Sequence, residues 1–202
     1  RASGGLHVIR APYDGRVVGQ VPFAGASEVR EAMDSAVAAF ARGTLTPTQR
    51  SAILRSAAAR VRDRADELAR LLALESGKPM AEARGEVGRT ATVLEEAAEE
   101  ARRITGQMVA VDAVPGSEDR IAFTIRAPLG VVGAITPFNG ALLSPAHKVG
   151  AAIAAGNTVI LKPASATPLS ALEFRDRLLG GGEIDWRPVS GDARPGFKYR
   201  EK

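Results

Sequence analysis

Residues 126–171 read RAPLGVVGAITPFNGALLSPAHKVGAAIAAGNTVILKPASATPLSA. The apolar run Gly130–Ile135 predicts a short strand that ends in the turn Thr136-Pro137-Phe138-Asn139. A helix of small residues is predicted next, from about Leu142 to Ala155, stopped by Gly156-Asn157. A second apolar strand is predicted over Thr158–Lys162, ending in Lys-Pro. Strand, helix and strand with a crossover of this length make a βαβ unit, which builds parallel sheets covered on both faces. Ligands of open α/β sheets bind at the carboxyl ends of the strands. Those ends carry Thr136–Asn139 and Lys162-Pro163-Ala164-Ser165, so the two polar clusters are expected on one edge of the sheet.

The segments PLGVVGAITPFN and AHKVGAAIAAGNTVILKPASATPLSA resemble the aldehyde dehydrogenase superfamily over about forty continuous residues. The residues before them match that family's amino-terminal region in element order, with weaker motifs. The resemblance implies an α/β fold: an amino-terminal helical region, the start of a parallel-sheet, Rossmann-like cofactor domain, and a β-hairpin oligomerisation ribbon. The expected division is 1–106 for the amino-terminal hairpin and helices, 107–126 for the protruding hairpin, 127–179 for a partial cofactor-binding region, and 180–202 for an unassigned tail.

Composition narrows the function class. The chain has 202 residues, enough for one domain or two small ones, and 45% apolar content can supply a core. No apolar run reaches the eighteen or so residues of a membrane span, and no signal peptide is recognised, so a cytoplasmic location is expected. There is no Cys, which removes disulfides and thiolate metal sites, and two scattered His argue against zinc. The net charge of +4 comes mostly from Arg alternating with Glu and Asp along helices, which reads as solvated faces. With 4% aromatics there is no basic stripe of the kind nucleic acid needs. No nucleic acid, membrane or metal partner is expected.

Upstream, β-prone runs at Leu6–Ala11 and Arg16–Val21 flank Asp14-Gly15, a hairpin signal. Ser27 is expected to cap a helix to about Ala41, with Val29, Met33, Val37 and Phe40 on one face. Thr46-Pro47-Thr48-Gln49 forms a capping box that opens one long helix to about Glu75. Leu54, Ala58, Val61, Ala65, Leu68 and Leu72 make its apolar stripe, and Gly77 and Pro79 end it. Pro79 opens the next helix, striped by Met80, Ala83, Val87, Ala91, Leu94, Ala98, Ala101 and Ile104 as far as Gly106. Stripes this regular also suit a coiled coil, but the Gly77-Lys78-Pro79 break favours an antiparallel helical hairpin. Runs at Gln107–Val111 and Arg120–Ile125 predict the ribbon. An isolated hairpin is marginal in water, so it either meets a partner surface or covers its own domain. In the resembled family it reaches a neighbouring subunit, which implies a homo-oligomer, dimer or tetramer. After Ser170 the resemblance fades; Leu172–Leu179 continue a helix and Gly180-Gly181-Gly182 end it. The tail that follows holds Trp186 and Phe197 and reads as an unrelated ending, a frameshifted reading or a distant segment joined here.

Asn139 is the sharpest candidate for chemistry. An amide at a strand end in a cleft donates to an oxyanion as a carbonyl carbon is attacked, and such a donor is worth roughly 10²–10³ in rate. The plainer reading is that it satisfies turn backbone groups. The resemblance assigns Asn139 the oxyanion role toward a thiohemiacetal. It also places Lys162 on the adenosine ribose of NAD or NADP, where a snorkelling strand-end Lys is the alternative. It makes Ile135, Thr136, Pro137 and Phe138 the lining of the cofactor cleft. Ser165 stands where many NAD-preferring relatives have Glu. A carboxylate repels a 2′-phosphate and a hydroxyl does not, so NADP is expected to be tolerated. Lys148 matches a family Lys sometimes assigned to proton relay, with a structural role equally open, and His147 reads as structural. Relatives commonly have Pro where this chain has Ala141.

The implied activity is NAD(P)-dependent oxidation of a small-molecule aldehyde to a carboxylic acid through a Cys thiohemiacetal. The family's nucleophilic Cys is absent, and its catalytic Glu and Gly-rich turn lie beyond the matching stretch. This chain alone is therefore expected to be inactive, as a piece of such an enzyme. The alternative is a non-catalytic, aldehyde-dehydrogenase-like binding or assembly protein. An unrelated βαβ nucleotide binder ranks last, because both GxGxxG and a P-loop are missing.

Overall fold

The computed structural model describes residues 5–43 and 45–175. The expected end of the last helix at Leu179, the Gly180-Gly181-Gly182 stop and the tail with Trp186 and Phe197 lie outside the described residues.

Strands β1 (Leu6–Arg10) and β2 (Val17–Pro22) form the antiparallel hairpin. Its turn is closed by Gly15, at a φ of 72° open to glycine, and by Asp14, whose carboxylate accepts the Arg16 amide at 3.1 Å. Helix α1 (Ala26–Ala41) begins earlier than Ser27 predicts. Gly25 is its N-cap, and the Glu28 carboxylate reaches back to the Gly25 amide at 2.8 Å, so an acidic N3 residue does the capping. Val29, Met33 and Val37 do share a face, but that face is about half exposed. The small side of α1, with Ala32, Ala36 and Ala39 half-buried, is the one turned inward, and Thr158 donates its hydroxyl to the Ala36 carbonyl at 3.1 Å.

The single long helix expected from Thr46 is two: α2 (Pro47–Asp63) and α3 (Ala65–Ser76). The break is at Arg64, with φ −109° and ψ 22°, outside helical values. The apolar stripe crosses the break unbroken, so periodicity alone could not reveal it. The Thr46–Gln49 capping box is present in both directions, and Gly77 ends α3 in the left-handed conformation at φ 74°. Helix α4 (Met80–Arg103) follows. Ion pairs Arg62–Glu95 and Arg84–Asp66 align α2, α3 and α4 antiparallel, as the helical-hairpin reading requires. These exposed pairs set register more than stability. The core is formed by Leu54, Ala58, Val61, Leu68 and Leu72 against Ala83, Val87, Ala91, Leu94 and Ala98, all buried.

The ribbon is shorter than expected, with β3 (Met108–Val109) pairing antiparallel with β4 (Ala122–Phe123). The chain leaves extended geometry at once, in a 3₁₀ turn at Val111–Ala113. Met108, Ile121, Phe123 and Ile125 are each about 70–80% exposed. At the base of the ribbon only glycine fits at 106, because a Cβ there would stand 1.5 Å from the Thr124 carbonyl oxygen.

The opening stretch forms β5 (Val131–Ile135), α5 (Leu143–Ala154) and β6 (Thr158–Lys162), with β5 and β6 parallel in the register Val131↔Thr158 to Ile135↔Lys162. Gly156, at φ 85°, closes α5 with the amide pair Gly156→Ile153 and Asn157→Ala152, a Schellman ending. Asn157 then accepts the Gly130 amide at 3.0 Å and so aligns the starts of both strands. Helix α5 packs on the α4 layer and α1 lies against β5 and β6. A short helix α6 (Pro168–Glu173) rests its Leu169 on Ile9, Val21 and Leu71, tying the first hairpin to the body. Among the described residues no helix is long and apolar enough to cross a membrane.

Candidate functional site

The carboxyl ends of β5 and β6 lie side by side, as the sequence predicts. One further rung follows the paired residues: the Thr136 amide donates to the Lys162 carbonyl at 3.1 Å. A second latch joins the two loops beyond the strands, where the Thr167 hydroxyl donates to the Phe138 carbonyl at 3.1 Å. Thr136 and Thr167 are buried, while Pro137, Phe138, Asn139, Lys162 and Ser165 are exposed. Ile135 and Phe138 present 66% and 63% of their surface to solvent. The edge is therefore a rigid pair of loops with open side chains: an amide, an ammonium, a hydroxyl and two apolar groups.

Not every candidate joins this edge. Lys148 and His147 lie in the second turn of α5, and both are exposed. Ala141 is buried beside Leu142 in the core, where its small side chain fits.

The supports beneath the edge were missed by sequence reasoning. Glu86 of α4 is buried, and one carboxylate oxygen accepts the amides of Leu142 and Leu143 at 2.9 and 3.1 Å. Its other oxygen holds the Lys78 ammonium, which also donates to the Asn139 carbonyl at 3.0 Å. Glu75 of α3 plays the matching part for α6. It is buried, and its carboxylate accepts the amides of Leu169 and Ser170 and the Ser170 hydroxyl. Burial pushes the Glu75 carboxyl above its ordinary range, against the opposing pull of those donors. Glu75 falls three residues after Leu72, where the apolar stripe would next return, but Glu86 stands beside Val87 without breaking the spacing, and neither position encodes its partner.

These two carboxylates have a chemical consequence. A helix amino terminus at a strand's carboxyl end is the usual anion cradle of βαβ nucleotide binders. Here the start of α5 is filled by Glu86 and the start of α6 by Glu75. A phosphate finds no free helix end at either place. The cation open to an anionic or hydroxyl-rich ligand is Lys162, with the Ser165 hydroxyl three residues on. The loop carrying Ser165 is braced from the first hairpin, since His7 Nε2 lies 3.0 Å from the Ser165 carbonyl oxygen and its ring packs on Phe23 at 5.0 Å. Among the described residues no cluster of His, Asp and Glu could hold a metal ion.

Comparison with known proteins places the chain among relatives of one family. The model of the aldehyde dehydrogenase family matches residues 2–178. The chain is 44% identical over 170 residues to 3-sulfolactaldehyde dehydrogenase of Priestia megaterium, covering 84% of this chain and 35% of that protein. It is 43% identical over 173 residues to an NADP-dependent succinate-semialdehyde dehydrogenase of Escherichia coli, covering 85% of this chain and 35% of that one. Its fold superposes on NADP-dependent glyceraldehyde-3-phosphate dehydrogenase of Bacillus halodurans, solved with NADP, with a TM-score of 0.83 and 34% identity over 89% of this chain and 38% of that one. The chain thus spans about a third of the length of the relatives it matches.

Proposed function

The chain belongs to the aldehyde dehydrogenase family, and from that premise we propose that its loop edge supplies two arms of an NAD(P)-dependent aldehyde-oxidising site. The observation that supports this reading is the latching of Thr136–Asn139 to Lys162–Thr167 with the side chains of Asn139, Lys162 and Ser165 left open. Asn139 is the oxyanion arm. Its amide donates to the aldehyde oxygen as negative charge develops there, while its backbone is held in place. Lys162 and Ser165 are the ribose arm, and Ile135, Thr136, Pro137 and Phe138 line the cleft between. The nicotinamide cofactor, when bound, accepts the hydride of the oxidation.

Ser165 offers a hydroxyl where a carboxylate would repel a 2′-phosphate, so NADP binds alongside NAD. Lys148 stands apart on α5, exposed, and serves as a proton relay. The thiolate that attacks the aldehyde does not come from this chain, which has no Cys. By itself the chain binds and does not turn over. The exposed apolar side chains of the ribbon, Met108, Ile121, Phe123 and Ile125, meet a second copy.

Titrating NADP and NAD into the isotopically labelled chain tests the reading. Shifts confined to Thr136–Asn139 and Lys162–Ser165, lost in Lys162→Met, are the expected result. Absence of shifts with either dinucleotide would refute it.

A further inference from the structure

We infer that Lys78 and Glu86 are positioning residues for Asn139, an inference that rests on the reading of Asn139 as the oxyanion donor. Neither residue faces the ligand edge. Glu86 rises from α4 beneath the turn and Lys78 from the link between α3 and α4. Between them they grip the turn at two points. Glu86 fixes its far end by accepting the first amides of α5 at Leu142 and Leu143. Lys78, with its ammonium held on the same carboxylate, donates to the carbonyl of Asn139 itself at 3.0 Å. The near end is already fixed by the Thr136–Lys162 and Thr167–Phe138 bonds. The peptide carrying the donor is thus held on both sides and in the middle, and only its side chain is left free.

A merely structural account is weaker. A carbonyl in an exposed turn is satisfied by water and needs no half-buried ammonium. A buried ion pair contributes little net stability because desolvation offsets its attraction. What such a pair does contribute is direction. An oxyanion donor depends on that, because its effect comes from being preset where charge appears.

The test uses the full chain and nitrogen-15 relaxation of the backbone amides of Phe138–Gly140. In Lys78→Met the order parameters there are expected to fall from about 0.85 to below about 0.6. Hydrogen-exchange protection of Leu142 and Leu143 should persist, because Glu86 still accepts their amides. Lys78→Arg should return order toward the starting value. Glu86→Gln, which keeps an acceptor for α5 but releases Lys78, should loosen the same turn. Unchanged order at Asn139 in Lys78→Met, or protection lost at Leu142 and Leu143 as much as at the turn, overturns the inference. Dinucleotide titrations of the same samples keep the two ideas apart. No shifts at Lys162 and Ser165 in the parent chain refute the proposed function, while the relaxation result still stands or falls by itself.

Discussion

The amide of Thr136 donates to the carbonyl of Lys162 across the ends of two parallel strands, at 3.1 Å. Together with the Thr167–Phe138 bond it joins the turn bearing Asn139 and the loop bearing Ser165 into a single edge. It also separates backbone from side chain: the backbone of Lys162 is structural, and its ammonium is free for a ligand.

Lys162→Met should therefore separate binding from folding. The exposed head group can be removed without loss of packing, so the melting temperature should stay within about 1 °C of the parent, the range expected for a surface change of a few tenths of a kcal/mol. NADP affinity, read by calorimetry, should fall about tenfold, or about 1.4 kcal/mol.

The second latch predicts a different pattern. Thr167 is buried, and its hydroxyl is the donor to the Phe138 carbonyl. Thr167→Val keeps the shape and removes the bond, which should lower the urea midpoint by the equivalent of about 1 kcal/mol. Thr167→Ser should recover most of it.

Burial raises the Glu75 carboxyl, and the sign of its effect on stability follows. The folded state holds this proton to higher pH than the unfolded chain does, so the contribution is fully present below the ordinary value of about 4.5. It is lost as pH rises from there through the raised folded value. Glu75→Gln removes that dependence. Urea unfolding of both proteins between pH 4 and pH 8 should show the stability of the parent relative to the variant falling as pH rises above about 4.5 and levelling off once the raised folded value is passed. A difference that is flat with pH contradicts this.

Leu94 is fully buried where α4 meets α5, close to Gly150. Leu94→Ala should cost about 2–5 kcal/mol, a cavity penalty. Because α5 packs against β5 and β6, whose ends carry the ligand edge, dinucleotide shifts at Thr136–Asn139 should weaken in parallel with stability.

The ribbon makes a prediction about assembly. Replacing Met108 and Phe123 by Ser removes two of its most exposed apolar side chains and touches no core residue. Sedimentation velocity should show the parent as a dimer or tetramer and the double variant shifted toward monomer. An unchanged distribution would remove the ribbon from the assembly surface.

The parallel unit was legible because its signals are local. Gly156-Asn157 ends α5, Thr46–Gln49 starts α2 and Asp14-Gly15 turns the hairpin, each with chemistry contained in a few adjacent residues. The kink at Arg64 was not legible, because Val61, Ala65 and Leu68 keep the helical spacing through it. The start of α1 was misplaced because Gly25 has no side chain to announce a cap, and the capping group is Glu28 three residues on. Of the candidate site, the common edge of Asn139, Lys162 and Ser165 follows from the strand–turn pattern, and their roles come from the family resemblance. Glu75, Glu86 and Lys78 were hidden among the charges of apparently solvated helices. Their partners lie 94, 56 and 61 residues away in sequence, and no periodicity in one helix encodes a bond to another.

The acidic residues that fill the starts of α5 and α6 make the ligand edge a dependent of the upstream helices. A synthetic peptide spanning residues 127–175 would carry every candidate group and both strands. It would also carry two helices with bare leading amides and an apolar floor open to water. In circular dichroism such a peptide should resemble a random coil, and adding back the α2–α4 segment should restore its helicity. Any effort to graft this edge onto another scaffold must therefore transplant carboxylates from well outside the motif that first draws the eye.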